Sequence, residues 1–166
     1  ANGNVRFNIK NGGTLTIADD LTLNSAAVIT DILLDAGSTT GNALNLGGSL
    51  IYGENASSNF IGGVIDMGDG AGVSTFNFNG TAPQIIEMGD PSDLRYSDIK
   101  VSNTSNASLG SSVSTTNVTG DITVSIGAVF DDNALSNVFI GDIINSGTIN
   151  VAGTIDLSGD FTNSGT

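Results

Sequence analysis

The stretch that most restricts the fold is NSGTINVAGTIDLSGDFTNSGT, residues 145–166, which returns to the NSGT with which it starts. Ile149 and Val151 flank Asn150, Ile155 and Leu157 flank Asp156, and Phe161 follows Asp160. Alternation with period two puts the aliphatics on one face of a strand and Asn, Asp and Thr on the other. Gly147, Gly153, Gly159 and Gly165 interrupt the runs at intervals too short for a helix. The two or three inward side chains of each run bury too little apolar surface to offset the entropy of ordering it. Such strands must stack on neighbours above and below, which is the logic of a solenoid.

Repetition supports that expectation. Residues 11–23, NGGTLTIADDLTL, align with residues 145–157, NSGTINVAGTIDL, at Asn, Gly, Thr, the aliphatics and the closing Leu. A Gly-Asp-apolar step recurs at Gly120-Asp121-Ile122, Gly141-Asp142-Ile143 and Gly159-Asp160-Phe161, spaced by 21 and then 18 residues. These are one-coil distances, and the fold they predict is all-β. It is a single-stranded parallel β-helix (β-solenoid), right-handed as is usual, with coils of about 18–24 residues. Residues 1–166 read as one solenoid domain. Alternating runs at Val5/Phe7/Ile9, Leu44/Leu46/Leu50, Phe76/Phe78, Ile99/Val101, Ile122/Val124 and Val129 supply further strands. The β-branched residues of SAAVITDILL favour strand over helix. GGVIDMGDGAG reads as a Gly-rich turn, and EMGDPSDLR, residues 87–95, as a loop inserted into the stack.

Composition narrows the function classes. The chain has no Trp and no Cys, and Gly takes 23 of 166 positions, about twice its usual share. A narrow core of Ile, Leu, Val and Ala in layers suits that palette, and neither disulfides nor thiolate metal sites are available. A net charge of −13 repels nucleic acid and anionic membrane surfaces, so the expected partners include neither. No run approaches the length of a membrane-spanning helix. With neither an initiator Met nor a signal peptide, the sequence reads as a mature product or a piece of a longer chain.

Between residues 75 and 130 the pattern becomes specific. TFNFNGTAPQII carries Phe76, Phe78, Asn79, Gly80, Gln84 and Ile86; Tyr96, Ile99, Val101 and Asn103 follow; then come Leu109, Val113, Val118, Gly120, Ile122, Val124 and Gly127. This order resembles a repeat of large secreted surface proteins of Bacteroidetes-type bacteria. That repeat runs V-x-F-N-G-x-x-x-Q-x-I, then F-x-x-L-x-I-x-N, then V-x-L-x-x-x-V-x-V-x-G-x-L-x-L-x-x-G. Ile99 stands where the repeat has Leu, and the loop at 87–95 is longer than the repeat's. The resemblance covers the second half of the chain well and the first half loosely. It implies a β-solenoid in an extracellular adhesin, stalk or filament, without an active site.

Candidate sites are few. Asp66, Asp69, Asp131 and Asp132 lie in Gly- and Asn-containing corners and are candidate oxygen ligands for weakly bound Ca²⁺, against a reading as solvated turn residues. Gly62-Gly63-Val64-Ile65-Asp66 is only one poor copy of a Ca²⁺-binding nonapeptide. No other cofactor is expected. Arg95 and Lys100 beside Asp93 and Asp98 form the single mixed-charge region, where a carbohydrate-binding or carbohydrate-cleaving site would sit; a surface ion pair is the plainer reading. Sequons at Asn55, Asn79, Asn103, Asn106 and Asn117 are about as frequent as chance gives. Thr14-x-Thr16 begins no in-register threonine array.

Neither end of the sequence resembles a cap, and residues 159–166 followed by residues 1–8 make a plausible continuation of the stack. The expectation is a non-enzymatic structural segment of a bacterial surface adhesin, sheath or filament, secreted to the cell surface. Its partners would be copies of itself or adjacent solenoid repeats stacked end to end, with surface polysaccharide second.

Overall fold

A computed structural model describes residues 5–9, 12–23, 30–34, 41–52, 64–66, 74–88, 94–115 and 117–166. The chain winds through successive coils of up to three short strands. The first three coils hold β1 (Val5–Ile9), β2 (Thr14–Ile17) and β3 (Leu21–Leu23); β4 (Thr30–Leu34), β5 (Ala43–Leu46) and β6 (Leu50–Tyr52); and β7 (Val64–Asp66), β8 (Thr75–Phe78) and β9 (Gln84–Ile86). The fourth holds β10 (Leu94–Arg95), β11 (Asp98–Val101) and β12 (Ala107–Leu109), and the fifth β13 (Ile122–Val124) and β14 (Val129–Asp131). β15 (Ser136–Phe139), β16 (Ile143–Asn145) and β17 (Thr148–Asn150) form the sixth, and β18 (Thr154–Leu157) and β19 (Phe161–Asn163) the seventh.

Every strand pairing is parallel and joins one coil to the next, so the fold is the parallel β-helix expected. Its spine is a seven-stranded sheet in the order β19-β16-β13-β11-β8-β5-β2. One inward column of that sheet runs Leu15, Leu44, Phe76, Ile99, Ile122, Ile143, Phe161, and the next runs Ile17, Leu46, Phe78, Val101, Val124, Asn145, Asn163. Alternation along each strand points those columns inward, burying them from β5 to β16, and turns Thr16, Asn45, Asn77, Lys100, Thr123, Ile144 and Thr162 outward. That outward column is not a threonine array.

Coils are longer in the first half of the chain and shorten from the middle onward. Matched positions lie 29, 32, 23, 21 and 18 residues apart from the first coils to the last. The expected 18–24 residues thus describe the chain from β8 onward, and the first coils carry longer connections. In the middle coils the core widens to take aromatic rings: Phe76 stacks on Phe78 at 4.6 Å between centroids, and Tyr96 meets Phe76 edge-on at 5.4 Å.

Three local readings change. Val64, Ile65 and Asp66 form β7 and not a turn, because a parallel neighbour on each side gives even a three-residue run its hydrogen bonds. The strand marked by Val129 is β14, but its core-facing side chains are Ala128 and Phe130; Gly127, with φ of 77°, sets the phase of the strand that follows. The match of residues 11–23 with 145–157 is offset by one face of the coil. Leu15 sits in the seven-stranded sheet with Ile143 and Phe161, whereas Ile149 belongs to the sheet of β9, β12, β14 and β17. What repeats there is a strand-corner unit, a third of a coil. The Gly-Asp-apolar step is a true coil repeat, since Ile122, Ile143 and Phe161 are register partners.

The glycine of that step is fixed by close approach. A Cβ at Gly141 would lie 2.2 Å from the carbonyl oxygen of Gly120, and one at Gly159 would lie 2.4 Å from that of Gly141. The obstacle is backbone, so the coils themselves would have to part. Gly141→Ala is therefore expected to cost at least about 2 kcal/mol by overpacking. Ala134, held at φ of 57° by the corner after β14, gives the contrast. Ala134→Gly relieves about 1–2 kcal/mol of left-handed strain and is expected to leave stability unchanged or higher. Chemical denaturation of both variants tests the pair.

Candidate functional site

The side chains with most chemical capacity are gathered at the corners. Before the seven-stranded sheet, Asp98, Asp121, Asp142 and Asp160 form a file. The backbone N–H of Asp121 donates to Asp98 Oδ1 at 2.9 Å, that of Asp142 to Asp121 Oδ1 at 2.8 Å, and that of Asp160 to Asp142 Oδ1 at 2.8 Å. Each carboxylate satisfies an N–H that points back toward the preceding coil, and a hydrogen bond to a charged acceptor contributes about 1.5–3 kcal/mol. Burial pushes the Asp98 carboxyl up; the Asp121 N–H opposes this and the Asp121 charge adds to it.

After the sheet, the two NSGT segments lie one on the other. Asn145 Nδ2 donates to Asn163 Oδ1 at 2.8 Å, the Ser146 and Ser164 hydroxyls are 3.2 Å apart, and those of Thr148 and Thr166 3.0 Å. A Cβ at Gly165 would lie 2.0 Å from the Gly147 carbonyl oxygen. Asn145 is buried and also accepts from the Gly147 N–H at 3.0 Å, closing the corner as an Asx turn.

Two buried polar centres remain, one that the sequence did not mark as a site and one, Asp132, that it marked as a Ca²⁺ candidate. Gln84 Oε1 accepts from the Gly80 N–H and from Asn103 Nδ2, both at 2.8 Å, while its Nε2 donates to the Leu46 and Gly48 carbonyls. The resemblance had singled out Gly80, Gln84 and Asn103; here they tie three coils together. With Phe76, Phe78, Ile86, Tyr96, Ile99 and Val101, also buried, they furnish core and corners. The second centre is Asp132.

Asp132 is fully buried and not a solvated turn residue. Its Oδ1 accepts from the N–H groups of Ala134 at 3.0 Å and Ala152 at 2.8 Å, and its Oδ2 from that of Gly153 at 2.8 Å. Burial pushes its carboxyl up, but the three donors outweigh that and hold it below the ordinary range. Asp131 Oδ1 accepts from the Asn133 N–H at 2.7 Å. Both Ca²⁺ candidates on this corner are thus engaged as turn caps. Asp66 lies in β7 and Asp69 outside the described residues. Among the described residues no group of three or more His, Cys, Asp or Glu is placed to hold a metal ion.

The mixed-charge region is dispersed in a similar way. Lys100 stands in the outward column between Asn77 and Thr123, Asp98 belongs to the corner file, the backbone of Arg95 in β10 is in register with that of Asp66 in β7, and Asp93 lies outside the described residues. Of the inserted loop, residues 89–93 also lie outside. The sequon residues Asn103 and Asn117 are buried, Asn79 is exposed, and Asn55 is not among the described residues.

Two surface features remain. Beside β9 a groove of about 440 Å³ is lined by Ser49, Ile51, Pro83, Ile85, Glu87 and Ser108, where β6 and β9 fall in separate sheets. Burial there pushes the Glu87 carboxyl up. At the last coil an apolar mouth of about 320 Å³ is lined by Ile143, Ile149, Val151, Ile155, Leu157 and Phe161. Phe161 is 56% exposed and Val151 53%, although both continue core columns or faces. No helix among the described residues is long and apolar enough to cross a membrane.

No protein-family model matches the chain, and no curated protein or solved structure matches it.

The carboxylates give stability an uneven dependence on pH. Asp98 and Glu87 are raised in the folded state above ordinary values of 3.8 and 4.5, so they favour folding as pH falls through their folded pKa values. Asp132 is lowered from 3.8, so its contribution is present above that value and lost as pH falls through its folded pKa. Unfolding free energy is expected to rise as pH falls through the folded pKa values of Asp98 and Glu87, and to fall once pH drops below 3.8 through that of Asp132. Asp132→Ala should lower stability by about 3 kcal/mol at pH 7, since three N–H groups lose their acceptor. Urea titrations across pH measure both effects.

Proposed function

We propose that the chain is a non-enzymatic structural segment of an extracellular bacterial surface protein (an adhesin, sheath or filament), acting as a stiff rod that extends end to end. The observation that carries this reading is where the chemically capable side chains go. Gln84, Asn103, Asp132, Asn145 and the Asp98–Asp121–Asp142 file bind backbone or one another between coils. Stacked parallel coils resist bending because each coil is bonded to the next along two or three faces. The net charge of −13 keeps such rods apart in solution or lets cations bridge them. The resemblance of residues 75–130 to surface-protein repeats supports the same assignment of place and role.

The second reading, a carbohydrate-binding or carbohydrate-cleaving β-helix, draws on the groove beside β9. Its exposed Ile51 and Ile85, with Ser49, Ser108 and Glu87, whose carboxyl burial pushes up, provide an apolar floor and polar rim for an extended polymer.

Negative-stain electron microscopy and polysaccharide pull-down on the same preparation separate the two. The rod reading expects particles of constant width whose length grows with protein concentration, and no retention on polysaccharide. Compact particles at all concentrations, together with retention abolished by Glu87→Gln, would replace it with the second.

A further inference from the structure

We propose that Asn79–Gly80 is a latent self-modification site, a succinimide-forming pair that Gln84 holds unreactive in the folded chain. Asn-Gly stands at residues 2–3, 11–12 and 79–80. In such a pair the glycine, having no Cβ, leaves its nitrogen open to approach the asparagine Cγ. The nitrogen gives its proton to hydroxide and attacks. The N–Cγ bond forms, the Cγ–Nδ2 bond breaks, and Nδ2 leaves as ammonia with a proton taken back from water. Water then opens the succinimide on either side, giving aspartate or an isoaspartate linkage with one extra backbone atom. The guard acts within a single folded chain, whether or not rods form.

The structure separates the two halves of that reaction. Asn79 follows β8 and is exposed, so water reaches its side-chain amide. Gly80 is buried, and its N–H donates to Gln84 Oε1 at 2.8 Å. That oxygen is fixed in turn by Asn103 Nδ2 at 2.8 Å, and Gln84 Nε2 is tied to the Leu46 and Gly48 carbonyls. An acceptor on the N–H favours its protonated form and so opposes the nucleophilic anion. The backbone is held as well. A Cβ at Gly80 would lie 2.5 Å from the Gly47 carbonyl oxygen, and the Asn79 N–H donates to the Leu46 carbonyl at 3.1 Å. Gly12, of the pair at 11–12, donates its N–H to Asn42 Oδ1 at 3.0 Å, and Asn42 is buried. Where Gly follows Asn among the described residues, its N–H is thus bonded to a buried side-chain amide. Reaction at Asn79 would put a negative charge or an extra backbone atom at the corner between β8 and β9, where one coil's backbone touches the next.

Peptide mapping by mass spectrometry after incubation at mildly alkaline pH tests this, reading the exchange of NH2 for OH at each asparagine. Asn79 is expected to react about tenfold more slowly in folded than in urea-unfolded protein, the factor that one buried hydrogen bond supplies. Gln84→Leu removes the acceptor and should raise the folded rate at Asn79 by about the same factor. Asn145 and Asn163 should keep their wild-type rates in that variant, since the N–H of the Ser after each bonds to backbone of the preceding coil. Gln84→Glu retains an acceptor oxygen and should stay slow. Amide exchange at Gly80 needs no variant, because it begins with loss of the same proton; that N–H should be as protected as the ladder amides of β8 and β9. Equal rates at Asn79 in folded and unfolded protein, or an unprotected Gly80 N–H, overturn the proposal. So does an unchanged rate in folded Gln84→Leu, or a Gln84→Glu rate equal to that of Gln84→Leu. Acceleration at Asn79, Asn145 and Asn163 together would mean general loosening of the coils and overturn the guard role as well.

Discussion

The structure depends on backbone hydrogen bonding between coils stacked about 4.8 Å apart. A parallel ladder of that spacing tolerates nothing thicker than a backbone where two corners meet. At Gly141, Gly159 and Gly165 a single methyl would collide with the carbonyl of the coil before. The same proximity makes the carboxylate of Asp98, Asp121 or Asp142 useful, since each lies within reach of an N–H on the next coil. Glycine and aspartate thus occur together for one reason: close approach excludes a side chain at one position and leaves a donor to be satisfied at the next.

That constraint also explains how side-chain chemistry is distributed. A helical stack with few aromatics has a thin core, and its polar corners are buried almost as deeply as its aliphatic columns. Asn103, Gln84 and Asp132 are each less than 4% exposed, yet each has several partners on neighbouring backbone or side chains. Groups that could serve as ligands or acids elsewhere are held by the coils on either side. The proposed rod-like role rests on this more than on the shape of any pocket.

Much of the architecture was legible in the sequence because it is carried by local, periodic signals. The Gly-Asp-apolar spacing gave the coil length of the second half, and alternation in ALNL, TFNF and DIKV gave inward residues that are all buried. Three things were not legible. The face on which a strand lies depends on corner length, so residues 11–23 and 145–157 look alike while occupying different sheets. Which residues of β14 face inward could not be read either, because a left-handed glycine precedes the strand and sets its phase. Asp132 looked like any turn aspartate, since its acceptors' partners, Ala152 and Gly153, lie about 20 residues on.

Amide hydrogen exchange tests the stacking most directly, because it reads each inter-coil ladder separately. In dilute, monomeric protein the account predicts strongest protection at Ile99, Ile122 and their sheet neighbours, which have coils on both sides, falling stepwise through β16 to β19. Protection of β19 equal to that of β11 in the monomer, or rapid exchange throughout the seven-stranded sheet in folded protein, would contradict it.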